Sequence, residues 1–227
     1  METGKTVVLL NMDYLLGNWG LNSKFKASEE YPLRLYYSDF DSNGQTETVT
    51  AFAKNGTYYT LEGLDALSSQ MVFLRKKFTS YGSFAGKSVD NIFEKESLEN
   101  AAILEVNTLA SGYLKNTNGG FEFVPFPKTL QVSPIMDFVS YDFDNDGAME
   151  VLAGGNYFGV KPYHGRFDSF PGAIIASEND MVLGNELGLD LNQKSVRHLD
   201  IISIQEQAYL LVIYNNREVE VYNINTK

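Results

Sequence analysis

The chain of 227 residues has no cysteine, only two histidines and no long apolar run. Without cysteine it can form no disulfide, no zinc–thiolate site and no thiol nucleophile. No stretch of about 18 apolar residues is present, so no transmembrane segment is expected. The first ten residues, METGKTVVLL, lack the basic start and the cleavable apolar stretch of a signal peptide, which predicts that this chain carries none.

Basic residues are also scarce, with 18 Lys and Arg against 29 Asp and Glu and a net charge of −11. An excess of negative charge disfavours nucleic acid and anionic membranes as partners. The 44% hydrophobic and 13% aromatic content is typical of a globular chain with a sizeable core. No serine lies in a Gly-x-Ser-x-Gly elbow and no His/Asp spacing indicates a catalytic triad, so no catalytic residue is predicted.

Two nine-residue stretches, the first acidic loop (residues 39–47) and the second acidic loop (residues 142–150), share one layout. Each has oxygen-bearing side chains at positions 1, 3, 5 and 9 and a glycine at position 6, which lets the backbone turn so that position 7 can offer its carbonyl. Positions 1, 3, 5, 7 and 9 are Asp39, Asp41, Asn43, Gln45 and Glu47 in the first loop, and Asp142, Asp144, Asp146, Ala148 and Glu150 in the second. Calcium prefers six to eight such oxygens, so two Ca²⁺ sites are predicted, with plain acidic turns as the alternative.

An EF-hand is excluded, because it needs a bidentate Glu at position 12, where these loops have Thr50 and Ala153. It also needs flanking helices, whereas both flanks here are short, aromatic and β-branched runs that predict strands. Those runs are Leu33–Tyr37, Thr48–Phe52, Met136–Tyr141 and Met149–Ala153.

The two loops hold seven of the 29 acidic side chains, and two divalent ions would change the net charge from −11 to −7. Asn43 lacks the charge of Asp146, so the first site is expected to be the weaker one.

The predicted fold is all-β with a helical insertion at about residues 61–100, where Leu64, Leu67, Met71, Leu74 and Phe78 recur every three or four positions. A loop is expected between the helices, over Ser80–Gly86. The chain is predicted to be one domain of repeated β units. Its parts are an N-terminal strand and connector (1–32), a unit with the helical insertion (33–135), a second calcium-loop unit (136–195) and a closing unit without a metal loop (196–227).

The strand–DxDxDGxxD/E–strand unit resembles the FG-GAP and VCBS repeats of integrin-type β-propellers. From about Leu16 onward the likeness extends to the C-terminal part of VCBS-repeat proteins of Bacteroidetes-type bacteria. It is carried by Gly17–Asn22, Phe25–Ser28, Leu104–Asn107 and Gly154–Asp168. The resemblance implies three to four propeller-type blades, too few to close a propeller ring easily, with calcium held by the ten loop positions named above. It also implies a non-catalytic binding or scaffolding module at the cell surface, outside the cell or in the periplasm.

A chain with so few blades is expected to be a C-terminal fragment, or a shortened relative in which an N-terminal strand over residues 5–11 completes the last sheet. Either form would leave an open blade edge that favours self-association or pairing with a protein or glycan partner. The second candidate function is a carbohydrate-active enzyme, a glycoside hydrolase or lyase on the same scaffold. Its candidate ligand loop has Tyr163, His164, Arg166 and Asp168, although an Arg166–Asp168 pair that only braces the loop is the favoured interpretation. His198 is expected to be a half-exposed strand residue.

Overall fold

Alternation of buried and exposed side chains along short segments gives this chain its strands. In Glu47–Lys54, for example, Val49 and Ala51 are fully buried while Thr48 faces solvent, which is the period of two of a half-buried strand. The computed structural model describes residues 8–9, 13–117, 119–161 and 164–224. These residues are mostly β, which confirms the prediction of a β-rich chain.

The described residues form fifteen strands in four antiparallel sheets, and none of these sheets closes on itself. In chain order the strands are β1 Val8–Leu9, β2 Asp13–Leu16, β3 Leu33–Ser38, β4 Glu47–Lys54, β5 Thr57–Thr60, β6 Ala102–Val106, β7 Gly112–Asn116, β8 Phe121–Pro125, β9 Ile135–Tyr141, β10 Glu150–Gly155, β11 Ala173–Ser177, β12 Asp180–Leu183, β13 Val196–Ile204, β14 Gln207–Tyr214 and β15 Glu220–Asn223. The sheets have the orders β1-β2-β7-β8, β5-β4-β3-β6, β12-β11-β10-β9 and β13-β14-β15.

Five short helices lie inside the predicted helical insertion: α1 Leu64–Gln70, α2 Phe73–Lys77, α3 Tyr81–Phe84, α4 Val89–Ile92 and α5 Lys95–Glu99. The loop predicted over Ser80–Gly86 is wrong in its centre, because α3 forms there. The cause is a capping box, in which the side chains of Ser80 and Ser83 each bond the backbone N–H of the other. None of the described helices is long and apolar enough to cross a bilayer.

The chain divides into two compact units: the inserted unit, Phe25–Leu109, and the discontinuous unit, Met1–Lys24 with Ala110–Lys227. The inserted unit contains the β5-β4-β3-β6 sheet and all five helices. The apolar helical positions predicted from the sequence are buried in its core together with Val49 and Phe93. At one edge of its sheet lies β6, which pairs with β3 alone and has all five side chains exposed.

The discontinuous unit contains the other three sheets and two apolar clusters, one around Phe138 and Phe170 and one around Leu199 and Val212. Its first sheet joins distant parts of the chain, since β2 pairs with β7. The expectation that the N-terminal strand completes the last sheet is wrong for the residues that can be described, because Val8–Leu9 pairs with β2. The remainder of that predicted strand, residues 5–7 and 10–11, lies outside the described residues.

The sheets cross one of the predicted unit boundaries. Within 33–135, β3 to β6 form one sheet, whereas β7 and β8 belong to the sheet of β1 and β2. The segments predicted as the second calcium-loop unit and as the closing unit each contain one sheet, β9 to β12 and β13 to β15.

A buried asparagine connects the segments that follow β10. Asn156 is completely buried in a left-handed backbone conformation (φ 75°). Its side-chain amide donates to the carbonyls of Phe170, Leu191 and Lys194 at 2.9, 2.9 and 3.1 Å, and its Oδ1 accepts the N–H of Phe170 at 2.9 Å. Buried polar groups need such partners, so this one side chain fixes two segments that form neither helix nor strand, one at Phe170 and one at residues 191–194.

Replacing Asn156 by alanine should lower the free energy of unfolding by about 3–5 kcal/mol, since it leaves buried N–H and carbonyl groups without partners and puts alanine, which adopts the left-handed conformation less readily than asparagine, at that position. The matched control is Asn216→Ala, because Asn216 has a similar φ of 56° but its side chain is exposed. This control should lower the free energy of unfolding by only about 1–2 kcal/mol, the contribution of the backbone conformation. Urea denaturation measures both, and equal losses would contradict the role given to the Asn156 side chain.

Candidate metal centres

Each acidic loop is the turn of an antiparallel hairpin. The first connects β3 to β4 and the second connects β9 to β10, so the strands predicted on both sides are present. The loops end at equivalent pairs, Ser38 opposite Glu47 and Tyr141 opposite Glu150. The position-9 glutamate is therefore the first residue of the returning strand in both hairpins.

The two loops have the same backbone conformation. Position 4 has positive φ in both, 58° at Ser42 and 62° at Asn145, and so has position 6, 84° at Gly44 and 90° at Gly147. Glycine reaches this region without steric cost, which is why the motif has glycine at position 6. These turns bring together positions 1, 3 and 9 in the first loop and positions 1, 3 and 5 in the second.

Three side-chain hydrogen bonds also match from one loop to the other. In the first, Asp39 accepts the N–H groups of Asn43 (3.1 Å) and Gly44 (2.9 Å), and Asn43 Oδ1 accepts that of Gln45 (2.7 Å). In the second loop the equivalent distances are 3.1, 3.0 and 2.7 Å, for the same positions. Backbone amides thus orient the oxygens at positions 1 and 5, and each oxygen keeps a second lone pair for another partner.

The position-9 glutamates are the most buried acidic groups of the loops. Glu47 and Glu150 are 5% and 6% exposed, and their Oε2 atoms accept the N–H of Phe40 (2.9 Å) and Phe143 (2.8 Å), the residues at position 2. This bond ties the end of each loop to its start. It holds a carboxylate under the loop, on the side of the sheet.

Three carboxylates meet in each loop. Ligand atoms of Asp39, Asp41 and Glu47 lie within 4.8 Å of one another, as do those of Asp142, Asp144 and Asp146. Two oxygens bound to one calcium ion at 2.3–2.6 Å are at most about 5 Å apart, so both clusters can hold a metal ion. Coordination by the amide oxygen of Asn43 stays a prediction. Coordination by the carbonyls of Gln45 and Ala148 stays a prediction, as does direct coordination by Glu150.

The two loops differ in what covers them. In the inserted unit, Phe40 is buried and its ring lies 4.7 Å from that of Phe93. Asp41 lines a cavity of about 260 Å³ together with residues of the helical segment, among them Lys77 and Glu94. In the second loop Asp144 and Asp146 are exposed. The first cluster is therefore partly enclosed and the second is open to solvent.

The candidate ligand loop is only partly described, since Tyr163 lies outside the described residues. The backbone N–H of His164 donates to the carbonyl of Lys161 at 2.9 Å. Arg166 Nε lies 3.3 Å from Asp168 Oδ2, and the guanidinium is 4.1 Å from the ring centre of Phe158. The Arg166–Asp168 pair proposed from the sequence is therefore present.

Two polar groups of the discontinuous unit were not foreseen. His198 lies on β13 and is 42% exposed, as expected, but its Nδ1 is 2.7 Å from Oδ2 of the buried Asp137 on β9. The second group is built around Glu220, whose Oε2 accepts bonds from Lys194 Nζ (2.8 Å), Tyr214 (2.7 Å) and Tyr222. Alternation in β15 does put residues 220 and 222 on one face, but nothing in the sequence connects them to Lys194.

Comparisons of the chain with family models, with curated proteins and with solved structures gave no match. The resemblance to FG-GAP and VCBS repeats consequently rests on the residues of the chain and stays a prediction.

The Glu220 cluster predicts an acid-dependent loss of stability. Burial on its own would raise the pKa of Glu220, but the hydrogen bonds from Lys194, Tyr214 and Tyr222 outweigh it and lower the pKa to about 2. A lowered carboxyl pKa stabilises the fold above the unfolded value, and this contribution is lost as pH falls towards the folded value. The difference in free energy of unfolding between wild type and Glu220→Gln should be largest above about pH 5 and shrink towards pH 2.

The control for this pH series is Glu218→Gln, since Glu218 is an exposed residue just before β15. The free energy of unfolding of Glu218→Gln should differ little from that of wild type at every pH. Urea denaturation between pH 7 and pH 2 measures both variants. A Glu220→Gln difference that does not change with pH would contradict the assignment.

Proposed function

We propose that this chain is a calcium-stabilised β module that binds a protein or glycan partner and performs no chemistry of its own. The observation that carries the proposal is the pair of hairpin loops with one geometry, each gathering three carboxylates within 4.8 Å. Calcium accepts mixed carboxylate, amide and carbonyl oxygens in flexible geometry, whereas magnesium demands a near-ideal octahedron and keeps most of its water. The mixed set of carboxylate, amide and carbonyl oxygens that these loops can offer therefore favours calcium.

Two features support a cation in the first loop. Oδ1 of Asp41 is buried and has no hydrogen-bond partner among the described residues. Buried polar atoms of folded proteins nearly always have a partner, and a metal ion would supply one here. In addition, two like charges about 4 Å apart repel by about 1 kcal/mol in water and about 4 kcal/mol near a protein surface. A divalent ion turns this repulsion into attraction within each cluster.

The proposed architecture is that of FG-GAP/VCBS repeats, with each sheet as a blade. Antiparallel sheets of four strands have the size of propeller blades, and both loops connect neighbouring strands of one sheet. Three to four blades would make an incomplete propeller. The exposed edge strand β6 supports pairing with a partner strand or with a second copy. Extracellular calcium sites have a Kd of about 0.1–1 mM, which suits a module of the cell surface or periplasm.

Calcium should raise the melting temperature of the wild-type protein. With a Kd of about 0.1–1 mM, 10 mM calcium stabilises the fold by about 1–3 kcal/mol per site, which for a chain of this size corresponds to roughly 10 °C for two sites. Asp142→Ala or Asp144→Ala should remove the part of this calcium-dependent stabilisation that comes from the second site. Thermal unfolding followed by circular dichroism, with calcium or with EGTA, measures the shift.

The matched control for the calcium experiment is Asp180→Ala, an exposed aspartate of the same unit at the start of β12. This variant should keep the whole calcium-dependent shift. A wild-type melting temperature that is the same in calcium and in EGTA would count decisively against the proposal.

A charge swap at position 5 tests the individual sites. Asn43 and Asp146 accept the same backbone bond at the same distance, 2.7 Å, so exchanging amide and carboxylate changes charge with little change of shape. Asn43→Asp should tighten calcium binding at the first site about tenfold, and Asp146→Asn should weaken the second by a similar factor. Isothermal titration calorimetry resolves the two sites, and unchanged affinities in both variants would show that these residues are not ligands.

A further inference from the structure

A polar cavity of about 260 Å³ lies in the discontinuous unit, away from both acidic loops. Six of its lining residues carry polar or charged side chains: Asn22, Ser23, Lys24, His164, Arg166 and Ser169. No Asp or Glu is among the described residues that line it. Two of these residues, Lys24 and Arg166, are cationic in a chain with net charge −11, and the Asp168 carboxylate lies 3.3 Å from Arg166. Lys24 and Arg166 are the groups of this cavity that attract an anion, which the net charge of the chain would otherwise repel.

One lining segment of the cavity, residues 22–24, is held at its start by hydrogen bonds. The N–H groups of Leu21 and Asn22 donate to the carbonyl of Gln131 at 2.9 and 3.1 Å, and Asn22 Nδ2 donates to the carbonyl of Val132 at 3.3 Å. Gln131 is itself buried and bonded to Ser111 and Phe126. Lys24 therefore extends from a segment whose start is anchored to the body of the unit.

The other lining segment, residues 164–169, is also held at its base by backbone pairing. Tyr157 and Phe167 form a β-bridge, in which the N–H of Tyr157 donates to the carbonyl of Phe167 at 2.8 Å. Phe167 is buried and its ring lies 5.1 Å from that of Trp19. The bridge follows directly on the buried Asn156. The bridge thus restrains the base of the loop that carries His164 and Arg166, as in binding loops that a rigid scaffold positions.

The guanidinium of Arg166 is exposed and oriented so that it can bind an oxyanion. Its contact with Asp168 is long at 3.3 Å and the side chain is 57% exposed, so the pair is a weak surface ion pair that a ligand can displace or share. Stacking on Phe158 at 4.1 Å orients the plane of the guanidinium. A planar, oriented guanidinium matches two oxygens of a carboxylate, sulfate or phosphate group.

We propose that this cavity binds a small anionic ligand through an oxyanion group (carboxylate, sulfate or phosphate), with Arg166 and Lys24, one from each lining segment, as its main contacts. The inference rests on the binding role proposed above, for which it names the ligand class, but it does not depend on calcium in the acidic loops. The volume suits a single charged group or one acidic sugar unit at the end of a larger molecule.

The experiment is an NMR titration of the ¹⁵N-labelled full chain with inorganic sulfate, with glucuronate and with glucose, each in EGTA and, except for sulfate, in 2 mM calcium. Sulfate and glucuronate should shift the amide resonances of residues 22–24 and 164–169 saturably, while neutral glucose should not. Binding of both anions would indicate recognition of the charged group alone. Binding of glucuronate without sulfate would indicate recognition of a sugar acid, and either result supports the proposal.

Arg166→Gln and Lys24→Gln should each weaken binding about tenfold, the usual effect of losing one charge-assisted hydrogen bond. The matched control is Arg217→Gln, an exposed arginine in the turn between β14 and β15, which should leave the affinity unchanged. Equal weakening by all three variants, shifts spread over every basic residue, or no saturable shift would overturn the proposal. The calcium-dependent melting shift is a separate measurement, so failure of either proposal is visible without the other.

Discussion

Confinement of like charges at a hairpin bend is the constraint on which both loops depend. Three carboxylates stay within 4.8 Å of one another only because other bonds hold them there. Backbone N–H groups orient the first aspartate, and the glutamate at position 9 is tied under the loop to the N–H of position 2. The hairpin strands supply the rigidity, since the glutamate is paired across the sheet at the point where the loop closes.

The same loop is used in two different surroundings. The first lies against aromatic side chains and the helices of the inserted unit, and has an amide at position 5. The second is open to solvent and has a carboxylate there. A partly enclosed site strengthens electrostatic interactions, whereas an open one is weakened by solvent. Burial at the first loop and charge at the second are thus two ways for one sequence motif to attract a cation.

Local features could be predicted from the sequence, and distant ones could not. The acidic loops, their flanking strands and the apolar positions of the helices follow from spacing within about ten residues, and the described residues bear out their placement. The pairing of Val8–Leu9 with β2 and the meeting of Lys194 with Glu220 depend on the course of the whole chain. The α3 helix was missed because its signal is a pair of serines, Ser80 and Ser83, in a segment rich in turn-forming residues.

The discontinuous unit has a consequence for the order of events during synthesis. Tyr14 in β2 lies opposite Leu114 in β7, so β2 waits for its partner strand until about 100 further residues have been made. At about 5–20 residues per second, a ribosome needs roughly 5–20 s for that length. The inserted unit is complete before this partner appears and is free to fold first. Closing the long loop then makes the first sheet a late and slow product of the folding pathway.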